Sequence, residues 1–503
     1  MDGFAAVDFE FARQVLQRGI AALYMVAFLS TLNQFRPLLG ERGLLPAPEL
    51  LAWARSSKSA GRMLRPTLFR WWEYRDSRLV ALCIAGIVVA GALVCGIPQL
   101  APPWVPMACF LALWLGYMSI VSIGQTFYSF GWEMLLLEAG FLAAFLGSDD
   151  QPPATAVIVL FWWLLFRLEF GAGLIKIRGG REWRDLTALT FHHETQPMPG
   201  PLSRQAHLLP RWFHELEVIG NHFAQLVVPW FLFVPILGLW IDGAWPAIVG
   251  AVAASIVLAT QLWLVITGNF AWLNWATIVL AFSAIGLPLR QTQGPSGQAQ
   301  GPGGTVAEPV EASWAIDGMP LLWVVATSAV ALLYVVISWP AARNLAARRQ
   351  LMNASFNRWQ LANAYGAFGT VTKVRIEYVV EGTLDHDPDV ADWHEYDFKG
   401  KPGDPRRIPA QFAPYHLRLD WLMWFLPLGR SLDDWFAVFL WRLLDADPAT
   451  LRLLAGDPFG GERPRWVRVV SYRYRFSTHA QFRASGERWV RDRRQLLVRP
   501  MGR

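Results

Sequence analysis

Four histidines crowd one polar stretch of the chain, His192, His193, His207 and His214, and His222 lies just beyond it. Imidazole exchanges protons near neutral pH and ligates transition metals, so this density raises both chemistries. His193 is followed directly by Glu194, the residue types of an acid–base couple. The spacing argues against metal: no H-x-x-x-H or H-E-x-x-H pair occurs. The three cysteines, Cys83, Cys95 and Cys109, fall in apolar segments elsewhere. No metal and no other cofactor is expected. A second group of ionisable residues sits inside apolar segments. Glu133 and Glu138 share one, and Arg167, Glu169 and Lys176 share another. Charges at membrane depth are costly and point to function by default. A desolvated lysine there loses its proton more readily and can act as a base. The competing outcome is mutual neutralisation, with Arg167 or Lys176 paired to Glu133, Glu138 or Glu169, or Lys176 snorkelling from a helix end. The weak catalytic candidates are therefore Glu138, Glu169, Lys176, His193 and Glu194. No G-x-S-x-G elbow, P-loop or dinucleotide fingerprint is present.

The elements that must position these groups are read from composition. Of 503 residues, 54% are hydrophobic and 17% charged, against about 25% charged in a soluble domain. This excludes a disordered chain or a disulfide-stapled mini-domain and makes a polytopic membrane protein the default. Candidate spans lie near 15–35, 79–97, 103–123, 128–147, 154–176, 218–240, 244–268, 269–288 and 319–340, about eight or nine in all. The N-terminus, with Asp2, Asp8 and Glu10, does not read as a cleavable signal peptide. The 36–78 loop carries Trp53, Trp71 and Trp72 and reads as amphipathic segments at a membrane surface. Residues 291–312, rich in Gly, Pro, Gln and Ser, read as a flexible linker.

The texture changes after Pro340, so the expected organisation is a membrane domain at 1–340 and a soluble, β-rich α+β domain at 341–503. Val374, Ile376 and Tyr378 alternate with Arg375 and Glu377, which predicts a strand buried on its apolar face. Val470, Tyr472, Tyr474 and Phe476 alternate in the same way. Ser431–Leu444 reads as a helix, a second short one follows Pro448, and Trp421–Leu428 is too short to span. Residues 341–503 carry 26 Lys/Arg against 18 Asp/Glu, while 1–340 carry 19 against 21. The basic tail suits a solvated surface, anionic lipid or an acidic partner; it lacks the pattern of a nucleic-acid binder. Nine spans put the 36–78 loop, the 177–217 loop and the tail on one side. The 36–78 loop has nine Lys/Arg against four acids, which by the positive-inside rule makes that side cytoplasmic.

Four long motifs then carry a resemblance. GLIKIRGGREWRDLTALTFHHETQPMPGPLS (173–203), YGAFGTVTKVRIEYVVEGT (365–383), YDFKGKPGDPRRIPAQFAPYHLRLDWLMWF (396–425) and LAGDPFGGERPRWVRVVSYRYRF (454–476) are similar to the lipase maturation factor family. The resemblance implies a membrane-embedded folding factor whose partners are membrane lipids and a client protein of the lipase kind. It also implies the inner membrane of a bacterium, with the 177–217 loop and tail on the non-cytoplasmic side, against the charge count. Client-binding or structural roles then fall to Trp183, Arg184, Asp185, Glu194, Thr195, Gln196 and Pro197, to Asn221 and His222, and to Tyr415, Arg418, Asp420 and Trp421. The chain departs from the family at Gly400, where animal members are expected to carry Cys. The alternative is a membrane enzyme with an intramembrane Glu/Lys cavity acting on a lipid-like or protein substrate, distantly like the membrane domain of vitamin K-dependent carboxylases. A transporter needs internal repeats, and none is visible.

Overall fold

The structure is a computed structural model that describes residues 3–57, 59, 61, 64–287, 315–316, 319–429 and 431–502. The expected 291–312 linker lies outside the described residues. Seven described helical segments are long and apolar enough to cross a membrane: Val7–Leu39, Asp76–Val94, Trp104–Ile123, Thr155–Arg178, Arg211–Leu239, Trp245–Thr267 and Leu321–Ala346. At two further expected spans the helices are short, Gly131–Ala143 and Leu273–Ala281. Both still run between the same two ends of the bundle as the long helices. At one end, Gln17 Nε2 donates to Gly147 O at 2.7 Å, Asp149 N to Gln99 O at 2.8 Å, and Leu287 N to Asp8 O at 2.9 Å. At the other end, Asn269 N donates to Met198 O at 3.1 Å and Gln125 Nε2 to Leu45 O at 2.9 Å. The short helices are feasible because Gly131–Ala143 is almost wholly buried by its neighbours and need not present a full apolar length to lipid.

We label the helices that build the site α1 (Glu10–Leu39), α2 (Gly131–Ala143), α3 (Thr155–Arg178), α4 (Leu189–Thr195), α5 (Arg211–Leu226), α6 (Trp245–Thr267), α7 (Leu321–Ala346) and α8 (Arg418–Phe425). Around the 36–78 stretch, a helix at Ala47–Ser56 precedes a single turn at Leu68–Arg70, and Trp53, Trp71 and Trp72 are all exposed. Such amphipathic rings suit a headgroup region.

The C-terminal region builds a four-stranded antiparallel sheet from β1 (Arg375–Thr383), β2 (His394–Glu395), β3 (Trp466–Phe476) and β4 (Trp489–Gly502), in the order β2-β1-β3-β4. The β1–β3 register runs unbroken from Arg375↔Tyr474 to Thr383↔Trp466, whereas β3–β4 is interrupted by bulges. One expectation is reversed here. At the start of β1 the buried residues are Arg375 and Glu377, while Val374 is exposed and Ile376 and Tyr378 are half-buried. The charged face turns inward because it meets main-chain carbonyls rather than an apolar layer. Arg375 donates to Glu194 O at 3.0 Å, to Pro197 O at 3.0 Å and to Gln196 O, and pairs with Glu377 at 2.6 Å. Glu377 is balanced a second time by Lys401 at 2.8 Å. On β3, Val470, Tyr474 and Phe476 are buried as their alternation requires, whereas Tyr472 is half-buried and Ser471 is buried, beside the register shift at Ser471/Arg473. The expected Ser431–Leu444 helix forms at Asp434–Leu444, and Asp447 caps the turn at Pro448–Leu451 through Thr450 N at 2.8 Å. The apolar Trp421–Leu428 stretch supplies α8 and a closing turn, with Trp421, Leu422 and Met423 buried. Packing is continuous across position 340: Leu419, Trp421 and Val467 join the same buried cluster as Tyr24 and Trp272.

Candidate functional site

The intramembrane charges resolve into three arrangements. Glu138 on α2 pairs with Arg167 on α3 and accepts from Tyr334 OH. Its second oxygen accepts from Asn363 N at 2.9 Å, Asn363 Nδ2 at 2.8 Å and Tyr365 OH at 2.7 Å. A carboxylate so enclosed is fixed in place by donors. Glu133 does not pair with Arg167 or Lys176. Its partner is Arg418 from α8, at 2.7 Å, with Tyr117 OH donating at 2.5 Å. The Arg418 guanidinium also donates to Phe127 O at 2.8 Å and lies 3.4 Å from the centre of the Tyr128 ring.

Glu169 and Lys176 are joined through an amide. Lys176 Nζ donates to Gln225 Oε1 and to Asn221 Oδ1, each at 2.8 Å, and Gln225 Nε2 donates to Glu169 at 3.0 Å. Gln261 Nε2 donates to the other Glu169 oxygen at 2.7 Å. Lys176 does not snorkel; it is buried, with Nζ 4.6 Å from the centre of the Trp183 ring. Both groups line a cavity of about 1530 Å³ between α3, α4, α5 and α6. Its walls are aromatic, with Trp183, Phe223, Trp263, Phe270 and Trp424, and polar groups converge at His192, His193 and Glu217. A large, mostly apolar cavity with a few oriented polar groups has the anatomy of a binding site.

The 177–217 loop forms one wall of that cavity, and its main chain is clamped from several sides. Gln196 Nε2 donates to His193 O at 3.1 Å, Ser203 Oγ at 3.0 Å and Thr267 O at 2.8 Å. Trp424 Nε1 donates to Thr195 O at 2.9 Å, and Arg375 holds the carbonyls of Glu194 to Pro197. Trp183 Nε1 donates to Phe368 O at 2.8 Å, and His222 Nε2 lies 3.1 Å from Trp183 O. Thr195, Gln196, Pro197, Trp183, Arg418, Asp420 and Trp421 are therefore internal, whereas Arg184 and Asp185 are exposed. Asp185 meets Arg181 at 3.7 Å, one helical turn away, and not its neighbour Arg184. Tyr415 OH accepts from Asn33 and Gln34 of α1 at 3.3 Å each. Asp420 accepts the Gly400 and Lys401 amides at 2.5 and 3.3 Å; burial pushes its carboxyl above the usual range, and these amides and nearby Lys401 oppose that rise. Trp421 packs edge-on against Trp132 at 4.8 Å.

The expected His193–Glu194 couple does not form, because adjacent residues on α4 point apart. Glu194 turns to the sheet and accepts from Phe476 N at 2.7 Å, with His207 3.4 Å away. Burial raises the Glu194 carboxyl and brings His207 down to about 4. His192 stacks on Phe270 at 6.0 Å, and burial, then neighbouring His193, pushes it down to about 3. His193 instead faces α5, where it meets His214 and Glu217. One ligand atom from each of the three lies within 4.8 Å of the other two. The absence of set histidine spacings and of nearby cysteines does not speak to a cluster drawn from two helices. Glu217 was absent from the expected site residues, as were Gln225, Gln261 and Trp263. The available signal was His214-x-x-Glu217, one helical turn apart and so on one face of α5.

Comparison with known proteins covers nearly the whole chain. A family model described as the lipase maturation factor transmembrane domain matches residues 11–287, and one described as the lipase maturation factor C-terminal domain matches 361–499. Lipase maturation factor 1 of Bos taurus is 38% identical over 525 aligned residues, which span 99% of this chain and 90% of that protein. Lipase maturation factor 1 of Homo sapiens is 39% identical over 96% of this chain and 87% of its own length. Lipase maturation factor 2 of Gallus gallus is 29% identical over 95% of this chain and 79% of its own length. No solved structure matches the chain.

Proposed function

The chain belongs to the lipase maturation factor family, and from this membership we infer that it is a membrane-embedded factor that assists a lipase client to its folded, active state. The observation that carries the reading is the near full-length match to proteins of that name. Holding a partly folded enzyme beside the membrane shields its exposed apolar surface and strand edges, where aggregation starts.

The client side is the end of the bundle that gathers the 177–217 loop, the 36–78 stretch and the sheet, and it faces away from the cytoplasm. The charge count of the 36–78 loop, nine Lys/Arg against four acids, points the other way, and the family resemblance is followed against it. On that end the client meets the exposed Arg181, Arg184 and Asp185. Thr195, Gln196 and Pro197 serve it indirectly, by holding the loop in place.

The test is co-expression with an exported lipase in cells lacking the chain. Full-length protein should raise active, secreted lipase several-fold over an empty membrane. Arg184→Glu with Asp185→Lys should lower that yield while leaving the amount of membrane-inserted protein unchanged. Unchanged lipase activity with and without the chain, over several exported lipases, would sink the reading. An accessibility tag at Asp185 that labels only after the cytoplasm is opened would sink the sidedness.

A further inference from the structure

The cluster of His193, His214 and Glu217 in the cavity wall has no part in the reading above. Its geometry poses a problem of protons. His214 faces an oxygen on each side: Nε2 lies 3.3 Å from the His207 carbonyl and Nδ1 lies 3.4 Å from Glu217 Oε2. A neutral imidazole has one N–H. The carbonyl can only accept, so the proton belongs on Nε2. In the neutral ring the Nδ1 lone pair then points at a carboxylate oxygen, a repulsion that either a second ring proton or a metal ion between the two relieves.

His193 repeats the pattern from α4. Its Nε2 is 3.2 Å from Glu217 Oε1 and 3.3 Å from Oε2, and among the described residues nothing accepts from or donates to its buried Nδ1. Among the described ion pairs Glu217 meets only these two histidines and no lysine or arginine. Trp263 Nε1 donates to Glu217 Oε1 at 2.5 Å and orients the carboxylate.

We propose that His193, His214 and Glu217 bind a divalent transition-metal ion of the zinc class. In a tetrahedral site with bonds of about 2.0–2.1 Å, neighbouring donors stand roughly 3.3 Å apart. The His–Glu separations of 3.2 to 3.4 Å match that edge, and the two imidazole ligand nitrogens lie within 4.8 Å of each other, so a bound ion draws the histidines closer together. Two imidazoles with one carboxylate suit zinc and its neighbours better than calcium or magnesium. His214 and Glu217 have outer contacts of the kind that orient metal ligands: the His207 carbonyl fixes the His214 tautomer, and the Trp263 indole steadies the carboxylate. The helices bring the donors together in advance, since His214 and Glu217 share one face of α5 and Gln196 holds the His193 carbonyl at 3.1 Å. His193 and Glu217 also line the large cavity, so the fourth coordination position opens toward it. Three protein ligands and one open position distinguish this site from a closed structural zinc site.

The experiment uses the full-length chain, purified in mild detergent through a tag without histidines. Elemental analysis should find about one zinc-class metal per chain. After chelation, added Co(II) should restore one equivalent and give the visible d–d absorption of a four- or five-coordinate site. His214→Ala and Glu217→Gln should each lower metal occupancy at least ten-fold, while His479→Ala, an exposed histidine outside the cluster, should keep it. Wild-type protein that carries no stoichiometric metal and gives no Co(II) spectrum overturns the proposal and leaves an imidazolium–carboxylate pair. Full occupancy in His214→Ala or Glu217→Gln overturns it equally. Should a variant fail to fold, the Co(II) titration of the chelated wild-type protein still decides. The result is independent of lipase yield, so it separates failure of the metal site from failure of the functional reading.

Discussion

Arg418→Met should be among the most damaging single substitutions in the chain. Arg418 and Glu133 are both fully buried, and the pair at 2.7 Å joins the C-terminal region to the short helix α2. Methionine keeps roughly the volume of the side chain but strands the Glu133 carboxylate with Tyr117 OH as its remaining donor. Removing one partner of a buried ion pair costs about 3–5 kcal/mol, because the other charge stays desolvated. The Phe127 carbonyl also loses its 2.8 Å donor, worth about 1 kcal/mol. Against a total stability of about 5–15 kcal/mol for a folded domain, this is a large fraction. Glu133→Met combined with Arg418→Met should recover much of the loss, since apolar replacement of both partners of a buried ion pair is often close to neutral. The assay is denaturant unfolding of the detergent-solubilised chain followed by Trp fluorescence, reported by Trp132, Trp272 and Trp421 nearby. A double-mutant cycle then isolates the pair. A loss below about 1 kcal/mol for Arg418→Met, or additivity within about 0.5 kcal/mol in the cycle, refutes the reasoning.

Asp420→Asn should destabilise the turn at Gly400–Lys401 by about 1–3 kcal/mol, because an amide replaces an anionic acceptor of two backbone N–H groups; faster hydrogen exchange at those amides is the readout. Gly400→Ala should cost about 1–3 kcal/mol by overpacking, since a Cβ there would stand 2.6 Å from Met198 Sδ and 2.9 Å from Leu417 Cδ1; thermal unfolding measures it. His416 is buried among Phe130, Trp132, Trp272 and Trp421, and burial, then the Arg418 charge, holds it well below the ordinary histidine range. The unfolded chain takes up that proton below about pH 6.5 and the folded chain does not, so stability falls as pH drops from there, by up to about 1.4 kcal/mol per unit. His416→Phe should flatten this acid limb in stability measured between pH 7 and pH 5, and an unchanged slope would show that His416 does not contribute.

The spans were legible because a bilayer demands apolar length, and length survives in the sequence. Helix α2 was legible as apolar but not as short, since neighbours decide how much of it must face lipid. The strand at 375–383 is legible as a strand, yet at its start the inward face is the charged one and not the apolar one. Alternation separates two faces but does not say which one meets the rest of the protein. Here the deciding partners are main-chain carbonyls of residues 194–197, which no side-chain pattern reports. The expected neutralisation of buried charge was right in kind, and Arg167 with Glu138 satisfies it. The partner of Glu133 was hidden because Arg418 lies 285 residues away in a stretch that reads as a polar tail. The histidine cluster was hidden for a similar reason, since its residues come from two helices.

Burial changes what the long motifs mean. A signature that touched the client directly would place its residues on the surface. In this chain Trp183, Thr195, Gln196 and Pro197 are internal, and their hydrogen bonds run to Phe368, Thr267, Trp424 and Arg375. Those partners come from the segment after α7, from α6, from α8 and from β1, so the loop is where the membrane helices and the sheet are tied together. The same loop walls the cavity that holds Lys176, His193 and Glu217. A substitution at Gln196 would therefore loosen three things together: the joint between bundle and sheet, the cavity wall, and the position of the His193 carbonyl. An exposed change at Arg184 or Asp185 would touch none of them. Loss of lipase maturation at Gln196 alone would report a fold that has come apart, and loss at Arg184 with the fold intact would report a contact with the client.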